Sequence, residues 1–170
     1  MDEPVRKRAQ AQLEAMFAAR IAEEDNLPCL VDPGLYLGSV GAALNKDKLK
    51  SLDITHVLTV SRTLQPAHPG EFIYKKIDVL DTPGTRLENY FEECINFIDE
   101  AISTGGNVLV HCFEGRSRSV TIVVTYLMKK RRMTREAALS LVISKRSLAG
   151  PNYGFMRQLD NFEKLLGLTK

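Results

Sequence analysis

Apolar residues recur at helical spacing from Val5 to Ile21 (Val5, Ala9, Leu13, Met16, Phe17, Ile21) in an Ala-rich stretch, which predicts an amphipathic helix. It closes near Asn26-Leu27-Pro28, and its polar mix suggests an extension that packs on a domain or awaits a partner. Cys29–Val31 and Leu35–Leu37 flank the turn signal Asp32-Pro33-Gly34 and predict a short hairpin. A small helix is expected over Asn45–Leu52. Ile54–Val60 is β-branched and apolar like a strand buried on both faces, and Phe72–Val79 is a second strand candidate. Leu87, Phe91, Cys94, Ile95 and Ile98 share one helical face, stopped by Gly105-Gly106. Val108–Val110 predicts the next strand, Val120–Met128 a long apolar helix, and Thr134–Ser144 and Tyr153–Leu166 two more. Alternation of helices with buried-type strands predicts an α/β fold, a central mixed sheet of four or five strands flanked by helices. The expected division is an N-terminal helical extension, residues 1–26, and one domain, residues 27–170.

With 170 residues, 44% hydrophobic and 26% charged, the chain suffices for one ordinary core. A net charge of +2 carries no polyelectrolyte signal, so no nucleic-acid partner is expected. The three cysteines, Cys29, Cys94 and Cys112, fit neither a disulfide framework nor a metal site. Cys29 and Cys94 read as small buried hydrophobes, and His56 and His68 as surface or satisfied histidines rather than ligands. The charged start MDEPVRKR and the short apolar runs predict no membrane association and a cytosolic or nuclear protein in a reducing compartment.

The chemistry lies directly after the Val108–Val110 strand, in His111-Cys112-Phe113-Glu114-Gly115-Arg116-Ser117-Arg118-Ser119. A strand, a tight turn and a helix N-terminus together form an anion site, because backbone N–H groups converge at the positive end of the helix dipole. Here the turn also opens on a cysteine and closes on an arginine, and Gly115 permits a tight backbone. The amides, the helix end, Arg118 and His111 would favour the thiolate of Cys112 and make it a nucleophile. Arg118 would offer a planar fork to two phosphate oxygens, a geometry lysine lacks. The Ser119 hydroxyl would stabilise the sulfur as a leaving group. Such chemistry also needs an acid for the leaving oxygen, and Asp78 and Asp81 both sit where the second strand candidate gives way to a loop.

Residue by residue, His111-Cys112-x5-Arg118-Ser119 resembles the signature loop of the protein tyrosine phosphatase superfamily, and its surroundings resemble the dual-specificity group. The resemblance runs from about Asn26 to Leu166 and includes Gly34-Leu35-Tyr36-Leu37-Gly38-Ser39, Ile54–Leu58, Tyr90-Phe91 and Pro151-Asn152-x-Gly154-Phe155. Leu64-x-Pro66-x-His68-Pro69 and Ser119–Val124 are most similar to small plant members that act on mitogen-activated protein (MAP) kinases. The resemblance implies a cysteinyl-phosphate mechanism on phosphotyrosine and phosphoserine or phosphothreonine, with neither cofactor nor metal. Counting back from Tyr90-Phe91, it selects Asp81 as general acid. It further implies that Asn152 holds the phosphate-binding loop in shape, that Phe113, Glu114, Gly115, Arg116 and Ser117 meet the phosphate through their amides, and that His111 belongs to the binding site.

Lys129-Lys130-Arg131-Arg132, with Arg135, Lys145 and Arg146 nearby, reads most simply as a solvated helix end. Basic amphipathic helices here and at Arg6–Ile21 also suit calmodulin. The competing functions are the same chemistry on a non-protein phosphate ester and a phosphopeptide-binding pseudophosphatase. Phe113 and Glu114 after the cysteine disfavour polyanionic headgroups. The intact set Cys112, Arg118, Ser119 and Asp81 disfavours a mere binder.

Overall fold

The computed structural model describes residues 2–168. The outermost residues of the two expected segments, 1 and 169–170, lie outside that range.

Strands β1 (Cys29–Asp32) and β2 (Leu35–Gly38) form the antiparallel hairpin expected of the Asp-Pro-Gly turn. Strands β3 (Ile54–Val60), β4 (Ile73–Ile77) and β5 (Asn107–His111) complete a sheet of order β1-β2-β5-β3-β4, in which every pairing except the hairpin is parallel. The strand preceding Cys112 is therefore the middle one. Open parallel sheets present ligand sites outside the carboxyl ends of their strands, which is where Cys112 emerges.

The helices are α1 (Glu3–Glu24), α2 (Val40–Leu44), α3 (Lys46–Ser51), α4 (Phe91–Ser103) behind a 3₁₀ turn (Leu87–Tyr90), α5 (Arg118–Lys130), α6 (Arg135–Lys145) and α7 (Tyr153–Leu165). Alternation along β5 divides the core: Val108 and Val110 join the large cluster with α4–α7, while Leu109 joins a smaller one with Ala42, Leu49 and Phe72. Helix α5 is buried continuously from Ser119 to Met128, so the helix that follows the Cys112 turn is the most enclosed of the fold.

Three elements differ from the sequence reading. Strand β4 stops at Ile77, because it is a sheet edge and the Val79 N–H turns back onto the Ile77 carbonyl. Helix α2 is an additional element, signalled by Ser39, whose side chain caps it by accepting from the Gly41 N–H. Helix α1 keeps Val5, Leu13, Met16 and Phe17 at the surface. Its half-buried side is instead Glu14, Ala18, Ile21 and Ala22. Close approach selects that side: a Cβ on Gly41 would stand 2.2 Å from the Asp25 carbonyl and 3.1 Å from the Ala22 Cα.

Candidate active site

Between β5 and α5 the backbone turns through residues 112–117 with its carbonyls fastened outward. The Phe113 carbonyl accepts from the Val40 N–H, Glu114 from Arg146 Nη2 (3.0 Å), Gly115 from Arg146 Nε (2.7 Å), Arg116 from the Gly150 N–H and Ser117 from the Thr121 N–H and hydroxyl. In a planar trans peptide the N–H points opposite to the carbonyl, so the following amides face the concave side. Among the described residues, none of the Phe113–Ser117 amides donates to a protein acceptor. Gly115 has φ +66°, and a Cβ there would meet the Gly38 carbonyl oxygen at 2.6 Å, so only glycine fits.

Cys112 lies in the cleft over this turn, 2% exposed, with its Sγ 3.1 Å from the Ser119 hydroxyl. Arg118 donates from Nη1 to the Val79 carbonyl at 3.1 Å, while its Nε is buried without a partner. One edge of the guanidinium is thus fixed by protein, and a strong donor remains for an anion in the cleft. The turn and Arg118 form a cradle for a tetrahedral oxyanion next to a sulfur.

His111 corrects the expectation that placed it at the phosphate. Its ring is buried under the turn, with Nε2 2.8 Å from the Thr59 hydroxyl and Nδ1 3.2 Å from the Cys112 carbonyl. Burial, reinforced by the Arg118 charge, pulls its pKa down to about 4 despite the Cys112 contact. It is therefore neutral near pH 7, supplies no positive charge to the sulfur, and supports the loop from below.

Asp81, which the resemblance selects over Asp78, is separated from it by the fold. Asp81 lines the cleft with Cys112 and Arg118, a cavity of about 410 Å³, whereas Asp78 lines a second depression with Arg62 and Tyr90. Asp81 is exposed on the loop between β4 and the 3₁₀ turn, and its Oδ1 accepts from Asn152 Nδ2 at 2.9 Å. Asn152 reaches the 112–117 loop through its main chain. Its backbone N–H, not its side chain, donates to the phosphate loop at Ser117 Oγ, while its Oδ1 caps α7 by accepting from the Phe155 N–H. Gly154 lets α7 pack on the loop that carries Asp81, since a Cβ there would fall 2.1 Å from the Pro83 carbonyl oxygen.

A family model for the dual specificity phosphatase catalytic domain matches residues 35–165. The chain belongs to the dual specificity phosphatase family. It is 56% identical over 168 residues to Dual specificity protein phosphatase 1 of Arabidopsis thaliana, covering 99% of this chain and 85% of that protein. It is 44% identical over 144 residues to human Dual specificity protein phosphatase 7, covering 84% of this chain and 34% of that protein. Human DUSP28 superposes with a TM-score of 0.79 at 34% identity, over 82% of this chain and 95% of that one. This dual specificity phosphatase is accordingly a hydrolase acting on phosphotyrosine and phosphoserine or phosphothreonine in proteins.

Several residues that shape the phosphatase site were not singled out from sequence. Arg146, read there as part of a solvated basic cluster, is buried, and besides holding the Glu114 and Gly115 carbonyls it pairs with Asp25 (Nη2–Oδ2 2.5 Å). Burial opposes its charge, yet the Asp25 carboxylate and the Cys29 sulfur hold it more basic than an ordinary arginine. Gln158 bridges the end of the acid loop, donating to the Thr85 carbonyl and accepting from the Glu88 N–H. Glu14, Phe17, Thr63, Leu80 and Thr82 complete the cleft. The rest of the basic run is largely paired: Lys129 with Glu92, Lys130 with Asp99, Arg131 with Asp32 and Arg135 with Asp160. Cys94 is buried in the core, and that burial pushes its thiol up to about 12, so it is no candidate for a reactive sulfur. Among the described residues no cluster of His, Cys, Asp or Glu could hold a metal ion, and no helix is long and apolar enough to cross a membrane.

Proposed function

We propose that the enzyme works through a cysteinyl-phosphate intermediate on a phosphorylated MAP kinase. Cys112 sulfur attacks phosphorus while the phosphate oxygens occupy the Phe113–Arg118 amides and the Arg118 fork. As the S–P bond forms, the ester P–O bond breaks, and the leaving tyrosyl, threonyl or seryl oxygen takes a proton from Asp81. Water then attacks the phosphocysteine and gives a proton back to Asp81, the S–P bond breaks, and the departing sulfur accepts a hydrogen bond from Ser119. The observation that supports this most strongly is the turn itself: carbonyls fastened outward, amides without acceptors, and a buried partnerless Arg118 Nε beside Cys112.

The kinase target rests on the Leu64–Pro69 and Ser119–Val124 resemblance. A nucleophilic thiol must stay reduced, which supports a cytosolic or nuclear location. Calmodulin remains a proposed partner for the basic start of α1, where Arg6, Lys7 and Arg8 are exposed, since the basic run at the end of α5 is engaged in ion pairs. The deciding experiment is single-turnover phosphate release from a doubly phosphorylated kinase activation-loop peptide. Release from both tyrosine and threonine, abolished in Cys112→Ser, is expected. Release unaffected by Cys112→Ser would refute the mechanism, and none from wild type would redirect the search to another phosphate ester.

A further inference from the structure

Helix α1 is built into the same assembly that holds the phosphate loop. Its end is secured by Asp25, whose carboxylate pairs with Arg146 and whose carbonyl accepts from the Ser39 hydroxyl at 2.9 Å. The next residue adds a second fastening, the Asn26 carbonyl accepting from Asn45 Nδ2 at 2.9 Å. Arg146 in turn grips the Glu114 and Gly115 carbonyls, so helix and loop share one anchor. From there α1 runs back past the cleft, and Glu14 and Phe17 line the cavity that contains Cys112 and Arg118.

The two wall residues differ in chemistry. Phe17 is 52% exposed, an aromatic side chain that the domain does not cover, beside the exposed apolar residues Leu13 and Met16. Glu14 is half-buried one helical turn away, and its side chain meets only Gln10, at 3.4 Å, among hydrogen-bond partners in the described residues. The phosphate end of the cleft carries Arg118 and Arg116 together with Asp81 and Glu114, and the α1 wall contributes Phe17 and one carboxylate, Glu14. A phosphate filling the cradle leaves this wall facing what is attached to the phosphorylated side chain.

Resting on the phosphatase reading, we infer that α1 forms a substrate-selecting wall in which Phe17 packs on an apolar residue flanking the phosphorylated one and Glu14 disfavours an acidic residue there. The occupant is the substrate segment itself, because the wall is continuous with the phosphate site and shares its cavity. Phe17 and Glu14 are thereby specificity-determining residues. Covering a half-exposed phenylalanine gains about tenfold in affinity, and a nearby like charge loses a few-fold.

The test is kcat/KM on tyrosine-phosphorylated peptides in which each of the two flanking positions is in turn Leu, Gly, Asp or Lys. Wild type is expected to favour Leu over Gly by about tenfold at one flanking position, mainly through KM. Phe17→Ala should erase that preference at that position, Phe17→Leu should keep most of it, and Glu14→Lys should reverse the order of Asp and Lys. No preference in wild type, or the same preference in Phe17→Ala, would overturn the inference. If wild type hydrolysed neither these peptides nor a simple aryl phosphate, the phosphatase reading itself would fail. Aryl phosphate hydrolysis with flat peptide ratios defeats the α1 wall alone.

Discussion

The two loops that meet at the cleft are built on opposite plans. The phosphate loop, 112–117, has its carbonyls tied to donors from α2, α5, Arg146 at the end of α6 and Gly150 before α7, and it contains a glycine that nothing else replaces. The acid loop that carries Asp81 is solvent-exposed from Leu80 to Gly84 and is held by a few side chains: Arg118 at Val79, Asn152 at Asp81 and Gln158 at Thr85. A site that binds an anion by preorganised amides gains from rigidity, since its donors need not reorient as charge develops. A proton donor must follow a leaving oxygen and later serve an incoming water, so a lightly held loop suits it. Arg118 and Asn152 connect the two plans, each touching both loops.

Breaking either plan should have distinct signatures. Asp81→Asn should lower kcat on phosphopeptides by about 10²–10³-fold while sparing an aryl phosphate with a weakly basic leaving group, because only the former needs the proton. Equal losses on both substrates would remove Asp81 from the acid role. Arg146→Ala should convert the rigid loop into a slack one, lowering unfolding free energy by about 3 kcal/mol and weakening binding of inorganic vanadate or phosphate. Denaturant unfolding and oxyanion inhibition measure the two effects, and unchanged oxyanion affinity would show that Arg146 does not shape the cradle.

His111 sharpens the comparison through pH. Its pKa is about 4 when folded, against about 6.5 for an ordinary histidine. Above pH 6.5 both states are neutral and its contribution to stability is fully present. As pH falls toward 4 the unfolded chain takes up a proton that the folded one does not, so stability drops by about 3 kcal/mol from this group. His56, whose pKa burial also lowers, acts in the same direction. Thermal unfolding from pH 7 to 4 should show a shallower acid limb in His111→Asn, and an identical limb would exclude His111. The smallest expected effect is that of Asn152→Ala, about 1 kcal/mol from the lost α7 cap and a several-fold loss of kcat as Asp81 loses its partner. A kcat equal to that of wild type would mean that the Asn152–Asp81 contact does not position the acid.

Much of this was legible because it is local. The Cys112–Ser119 run, the Asp-Pro-Gly hairpin and the buried β3 pattern each lie within one short window, where periodicity and turn chemistry act. What could not be read depends on distant pairing. Arg146 meets Asp25 across 121 positions of sequence, and in its own window it is one more cation near a helix end. His111 beside Cys112 suggests electrostatic help, but whether its ring turns to the anion or to Thr59 is decided by β3, 52 residues earlier. For α1 the apolar spacing revealed the helix but not its half-buried side, because the backbone at Ile21 and Ala22 comes close to Gly41 of α2 whereas Phe17 lines the cleft. Local pattern sets elements and chemistry. Packing distance sets which side chains the chemistry uses.

The measurement that bears most directly on the mechanism is mass spectrometry of enzyme denatured within milliseconds of mixing with phosphopeptide, using Ser119→Ala to slow loss of the sulfur. A phosphoryl group on the peptide containing Cys112, present in Ser119→Ala and absent in Cys112→Ser, is the predicted result. Rapid turnover by wild type with no phosphoryl group on Cys112 in either the wild-type or the Ser119→Ala enzyme would contradict it.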